Sequence, residues 1–254
     1  MITRQQLNDF YDSLLNPQSY ADYCPNGLQI EGAGQIERIA FAVSATRDSI
    51  DRAIDNRADA LVVHHGLFWS FHGARPLTGA FARRVLPLVR HNINLFGYHL
   101  PLDGHADIGN AATLGRLIGC GQQQPFGDYK GSATGIKGVL ASPLTAPQLQ
   151  AKLAEILGHA VILATPDKKA LIRSVGIITG GANGEWRLAA QEGLDAYITG
   201  EISEHDWHDS QENGVHMFAG GHHATEQFGI QALMEKTREQ FDTECIFIGS
   251  DNPA

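Results

Sequence analysis

The segment Asp59-Ala60-Leu61-Val62-Val63 recurs 136 positions later as Asp195-Ala196-Tyr197-Ile198-Thr199, and this recurrence limits what the chain can fold into. Upstream of each copy lies an apolar, β-branched run and then a stretch at helical spacing, and Ala53 falls on Ala189 at the same offset. Downstream, Asn94-Leu95-Phe96-Gly97 resembles His216-Met217-Phe218-Ala219 in residue type. Strand, helix and strand in the same order twice is the pattern of a duplicated α/β half.

Apolar periodicity and turn chemistry place the other elements. Thr3 is expected to N-cap a first helix that carries Leu7, Phe10, Tyr11, Leu14 and Leu15 on one face and stops at Asn16-Pro17. A loop with Pro25-Asn26-Gly27 leads to a strand over 39–43, a helix over 47–56 and a strand over 60–64. A helix over about 79–90, kinked or broken at Pro87, precedes a strand over 93–98 and a helix from about Ile108. Residues 122–165 are richer in Gly, Gln and Pro, and are expected to hold a strand over 136–140, a helix over 146–157 with Pro147 in its first turn, and a strand over 161–164. Strands over 175–179, 196–199 and 216–219 and a long helix after Ala224 follow. The expectation is an α/β fold of two similar β-α-β-containing lobes with mixed, largely parallel sheets: a first lobe over 1–122, a middle segment over 123–165 packing on the lobes, and a second lobe over 166–254, together one functional unit.

Composition excludes several alternatives. With 254 residues, 43% hydrophobic and 19% charged, the chain can bury a core as one large or two small domains. A formal charge of −9 without a Lys/Arg-rich block lacks the footprint of a nucleic-acid binder. Cys24, Cys120 and Cys245 form no C-x-x-C pair and read as reduced, buried thiols. The start MITRQQLNDFYDSLLN is not built like a signal peptide, and no window approaches the ~18–20 apolar residues of a membrane span, so a soluble, cytoplasmic protein without a membrane partner is expected. Twelve histidines remain unexplained.

Three segments put histidines at or just past the C-terminal ends of expected strands, where open α/β sheets hold ligands: His64-His65-Gly66, His99-Leu100-Pro101-Leu102-Asp103 and His222-His223-Ala224-Thr225-Glu226. The last two share His-x-x-x-acid. On a helix, His222 and Glu226 would lie on one face, whereas Pro101 argues against a regular helix and leaves an irregular turn to bring in Asp103. Imidazole with carboxylate suits Zn, Mn or Fe(II) better than Ca or Mg. Each segment alone has an ordinary explanation, a hydrogen-bonded histidine or a helix start capped by Thr225 or Glu226; the three together point to metal. Glu201, in Thr199-Gly200-Glu201, falls on His65 at the repeat offset and reads as a base, as a residue orienting a ligand, or as a surface carboxylate opening the next helix. His205 and His208 around Trp207 read as a solvated helix face. Gly180-Gly181-Ala182-Asn183-Gly184 lacks both the G-x-G-x-x-G and the Walker lysine spacing and reads as a tight strand-to-helix turn.

Pro25 to Gly32 (PNGLQIEG), His64-His65-Gly66, Tyr98-His99 with Asp103, Gly109-x-Ala111 after Asp107, Thr199-Gly200-Glu201 and Gly221 to Glu226 (GHHATE) together resemble the GTP cyclohydrolase I type 2 (Nif-three-like) family in its short bacterial form, over nearly the whole chain. The resemblance implies a dinuclear metal centre in the cleft between two similar α/β lobes, and assembly as a toroidal homohexamer. Carried over by motif, His64, His65, Asp103, His222 and Glu226 would be the ligands of two divalent ions (Zn, Fe or Mn), with His99 beside them.

These readings favour a metal-dependent hydrolase acting on a small molecule, with a nucleotide or modified nucleotide as the substrate class that the resemblance implies, and with Glu201, His99 or His223 relaying a proton. The alternative is a non-catalytic metal-binding protein, a metal chaperone or interaction scaffold. Nucleic-acid binding ranks last because of the −9 charge.

Overall fold

In the computed structural model, which describes residues 1–254, the chain opens with a short strand β1 (Ile2–Thr3) and a helix α1 (Arg4–Leu15). Thr3 caps α1 reciprocally: Gln6 N–H donates to Thr3 Oγ1 at 3.1 Å while Thr3 N–H donates to Gln6 Oε1 at 2.8 Å. Leu7, Tyr11 and Leu15 form its buried face. There follow β2 (Gly27–Ile30), β3 (Gln35–Ile36), β4 (Arg38–Ser44), α2 (Arg47–Asp55), β5 (Ala60–His65), α3 (Gly79–Arg90), β6 (Asn94–Gly97) and a single helical turn, α4 (Leu100–Asp103). Next come α5 (Asn110–Ile118), β7 (Cys120–Phe126), β8 (Gly135–Thr145), α6 (Ala146–Leu157), β9 (Ile162–Ala164), β10 (Leu171–Ile177), α7 (Trp186–Gln191), β11 (Ala196–Thr199), α8 (Glu204–Glu212), β12 (His216–Ala219) and α9 (His222–Thr225). The chain closes with α10 (Gln227–Gln240) and β13 (Glu244–Phe247).

Two units emerge, Met1–Leu102 with Ile230–Asp251, and Asp103–Gly229 with Asn252–Ala254. The first holds a sheet ordered β13-β4-β5-β6-β2, parallel throughout except for β2. Its core includes Ile50, Ala53, Leu61, Val63, Leu88 and Leu95. The second holds a sheet ordered β7-β8-β10-β11-β12-β9, in which only β10-β11-β12 run parallel. Leu149, Leu153, Ile172, Val175, Ile198 and Phe218 lie in its core. The α/β class with mixed sheets is thus observed, the sheets being partly parallel. All three cysteines are buried thiols outside any disulfide.

The duplication extends to individual hydrogen bonds. Asp59 Oδ2 accepts the N–H groups of Glu37 and Arg38 at 2.8 and 3.1 Å; Asp195 Oδ2 accepts those of Arg173 and Ser174, each 136 positions further on, at 2.7 and 2.8 Å. The Asp59 carbonyl accepts from Asn94 N–H, and the Asp195 carbonyl from His216 N–H. Tyr98 N–H to Val63 O is matched by Gly220 N–H to Thr199 O, and Ala58 N–H to Ala53 O by Leu194 N–H to Ala189 O. In each unit one carboxylate ahead of a strand ties it to the neighbouring strand, which explains why aspartate stands ahead of each apolar run.

The copies begin earlier than the sequence suggests. Thr145 N–H donates to Gln148 Oε1 at 2.8 Å to open α6, as Thr3 and Gln6 open α1. β1 pairs with β3 as the end of β8 pairs with the start of β10, Ile2 with Ile36 and Leu144 with Ile172. β2 lies antiparallel to β6 as β9 does to β12. The segment expected at 123–165 is therefore sheet and helix of the second unit rather than a separate packing element. The limits expected at 122 and 165 do not coincide with those of the units, because β7 and β8 join β10, while β13 returns to pair with β4. β2, β7 and β13 are not expected as strands from the sequence; CGQQQPF carries no apolar alternation, and β2 lies in what reads as a turn.

Two prolines lie within helices, and neither breaks its helix. Pro87 sits inside an uninterrupted α3, and the Arg83 carbonyl that it deprives of a donor accepts from Arg47 Nη1 at 3.0 Å. Pro101 does not prevent helix formation after His99: it is the second residue of α4, in a first turn that needs no proline N–H.

Candidate metal centre

In the first unit, β5 ends on His64 and His65. His64 is fully buried, and its Nδ1–H donates to the Tyr98 carbonyl at 3.0 Å, the tautomer that leaves the lone pair on Nε2. His65 Nδ1 lies 3.0 Å from Ser44 Oγ at the end of β4. The chain turns away at Gly66, where a Cβ would meet Gln29 Oε1 at 2.2 Å; that oxygen accepts Leu67 N–H and so pins the turn. His99 joins the pair, with donor atoms of the three rings within 4.8 Å of one another. Its Nδ1–H donates to Asp22 at 3.0 Å. Burial opposes ionisation of Asp22, but the hydrogen bond and charge of His99, with donors from Asn26 and the Leu100 N–H, outweigh it and bring the carboxyl down to about 2.

In the second unit, Asp103 closes α4 and is held by Asn110 Nδ2, which donates to Oδ1 at 2.8 Å. Asn110 is itself fixed by the Gly229 N–H at 2.7 Å. α9 carries His222 and is followed by Glu226 as its C-cap, and the expected i,i+4 pair forms, with His222 Nε2 3.2 Å from Glu226 Oε2. On its other side His222 Nδ1–H donates to Glu201 Oε1 at 2.5 Å. Asp103 and Glu226 bring carboxylate oxygens within 4.8 Å of each other. Two glycines make this possible. A Cβ on Gly180, which has φ +68°, would lie 2.0 Å from Glu226 Oε1, and one on Gly200 would lie 2.6 Å from both the Gly180 carbonyl and His222 Cα. The glycine-rich stretch from Gly180 is thus a turn shaped around Glu226. His205 and His208 lie exposed on α8, as expected.

The hydrogen bond that the ring gives to Glu226 is the first cause that raises His222 to about 9; burial opposes it, and the charge of Glu226 and the contact with Glu201 add to it. A folded-state value above the ordinary ~6.5 means that this proton stabilises the fold fully below about pH 6.5 and that the contribution is lost as pH rises through about 9. A metal has to displace the same proton. Calorimetric titration of metal-free protein with Zn²⁺ in buffers of different ionisation enthalpy is expected to show proton release at pH 7.5. The apparent affinity is expected to rise about tenfold per pH unit and to level off near pH 9; a pH-independent affinity would exclude His222 as a ligand.

Within the first unit the structure brings together His64, His65 and His99; within the second, Asp103, His222, Glu226 and Glu201. Sequence reading misses the residues that orient them. Asp22 lies in a stretch without periodicity; Asn110 is the unassigned position of the Gly109-x-Ala111 motif; Ser44 has the look of a strand end and nothing more.

Fold and donor chemistry define a duplicated α/β protein with imidazole and carboxylate groups gathered at the ends of its strands. The chain belongs to the Duf34/NIF3 (NGG1p interacting factor 3) family, matched over residues 2–253. A "GTP cyclohydrolase 1 type 2 homolog" of Pasteurella multocida is 41% identical over 249 residues, 98% of either chain, and one of Pyrococcus abyssi is 39% identical over 247, 97% of this chain and 98% of that one. Among solved structures, protein ybgI superposes with a TM-score of 0.90 at 36% identity over 100% of both chains. TTHA1606 of Thermus thermophilus gives 0.89 at 28%, over 100% of this chain and 99% of that one. No helix is long and apolar enough to cross a membrane.

Proposed function

We propose that the chain is a dinuclear metal-dependent hydrolase whose two divalent ions (Zn, Fe or Mn) are held by His64, His65, Asp103, His222 and Glu226. The observation that carries this reading is the orientation of the imidazoles: His64 gives Nδ1–H to the Tyr98 carbonyl and His222 gives Nδ1–H to Glu201, so that Nε2 would be the coordinating nitrogen in each. Imidazole and carboxylate without thiolate fit a catalytic rather than a purely structural ion. Bound there, the ions would lower the pKa of water and polarise the bond to be hydrolysed.

The chain's own residues would orient and relay. Asp22 holds His99 so that Nε2 can take and return a proton, and Glu201 fixes the ring of His222 and is open enough to solvent to pass a proton on. A nucleotide or modified nucleotide is the substrate class, on the strength of the relatives' names. The homohexameric ring belongs to the same reading and is checked by the native mass.

The test is elemental analysis of the purified protein together with hydrolysis assays on nucleotides, phosphate esters, amides and cyclic amidines. Turnover that is lost on chelation and restored by Zn²⁺ or Mn²⁺ is expected. Stoichiometric metal without turnover on any of them would replace the hydrolase by a metal-binding scaffold.

A further inference from the structure

Beside the three histidines of the first unit lies a cavity of about 450 Å³, walled in part by Tyr23, Cys24, Trp69, Ser70, His72 and Arg75. Its volume is that of a small-molecule site. No residue of this wall other than Asp22 has a part in the chemistry above.

One side of the wall is aromatic and already oriented. The Trp69 indole donates from Nε1 to the Gly66 carbonyl at 3.1 Å, stacks on Phe71 with centroids 5.6 Å apart at 25°, and lies 5.8 Å from the Tyr23 ring. A flat ligand would meet this surface without having to order it first. The other side is cationic. Arg75 lies 4.2 Å over the Phe81 ring and donates from Nη1 to His72 Nδ1 at 3.1 Å, which puts the His72 N–H on Nε2, so both groups offer N–H donors to an anion. The Asp22 carboxylate, also in the wall, directs its oxygens to N–H donors from Tyr23, Asn26, His99 and Leu100. The aromatic side continues into the histidine cluster: Trp69 is 5.1 Å from His99 and 5.9 Å from His65, and Tyr23 is 5.1 Å from His99.

We propose that this cavity binds a planar aromatic or heteroaromatic ring that carries an anionic group, the ring against Trp69 and Tyr23, the anion on Arg75 and His72, and the edge nearest His65 and His99 presented for reaction. As a recognition subsite it rests on the hydrolase reading only for its consequence, since binding is measurable without turnover.

Equilibrium dialysis of the full chain, metal-loaded and as the Glu226→Gln variant, against AMP, UMP, adenosine and ribose 5-phosphate tests it. AMP and UMP are expected to bind both forms, with adenosine and ribose 5-phosphate at least about tenfold weaker. Trp69→Leu is expected to weaken AMP roughly ten- to a hundredfold, and Trp69→Phe to recover most of the loss. Arg75→Gln, at an exposed position, is expected to weaken AMP about tenfold and leave adenosine unchanged. Binding of neither nucleotide, equal binding of AMP and ribose 5-phosphate, or an equal effect of Arg75→Gln on AMP and adenosine would overturn the proposal. Ring binding without turnover in the metal-loaded protein would keep the subsite and remove the hydrolase. Turnover of ring-free phosphate esters as efficient as that of nucleotides would do the reverse.

Discussion

Glu226→Gln is expected to cut the metal content of the purified protein by half or more and to weaken what remains at least about a hundredfold, with the fold retained. Glu226 is 3% exposed, caps the single turn of α9, and faces both His222 Nε2 and the Asp103 carboxylate. Glutamine keeps its volume and removes the charge, so the loss is assigned to the donor and not to packing. A second variant reaches the same carboxylate without altering any donor. In Gly180→Ala the new methyl would sit 2.0 Å from Glu226 Oε1 and 3.2 Å from His222 Nε2, and the backbone at φ +68° disfavours any side chain. Elemental analysis of both proteins, with a thermal melt to establish folding, is the measurement. If both keep the wild-type metal content, the ligand assignment fails. In Glu226→Gln the proton released on loading at pH 7.5 is also expected to diminish, since Glu226 is the main cause of the raised His222 value.

Asp59→Ala and Asp195→Ala are expected to destabilise by about 2–4 kcal/mol each, a carboxylate with two backbone N–H donors being lost in either case. Asp195→Ala is expected to cost more, because Ser174 Oγ also donates to Asp195 Oδ2 at 3.1 Å. A fair control is Asp48→Ala, which removes an exposed i,i+4 pair with Arg52 and is expected to cost less than about 1 kcal/mol. Urea unfolding distinguishes them. Midpoints for Asp59→Ala and Asp195→Ala no lower than that of Asp48→Ala would show that the repeated aspartates do not tie the strands.

Much of the fold was legible because its driving forces are local. The capped helix from Thr3, the helix over 146–157 and the strands over 196–199 and 216–219 follow from periodicity and cap chemistry, and all occur as expected. Elements whose residues are dictated by distant partners were not legible. β7 is a strand because β8 offers it hydrogen bonds, and β13 because β4 does. That α3 continues through Pro87 was not legible for a related reason: the donor that relieves it comes from Arg47 on another helix. At the site, histidines and carboxylates were legible as residue types at strand ends, while their orienting partners Asp22, Ser44 and Asn110 were not, being neither periodic nor distinctive in type.

Residue order alone established the α/β class, the 136-residue duplication and the histidine-rich strand ends, because hydrophobic period and repeated motifs are properties of neighbours along the chain. Only the folded chain decided where each copy begins, which neighbour takes the Nδ1–H of His64, His99 and His222, and which carboxylate holds which ring. Those depend on single hydrogen bonds between residues as far apart as Asp22 and His99, or Glu201 and His222, whose separation in sequence says nothing about their distance in space.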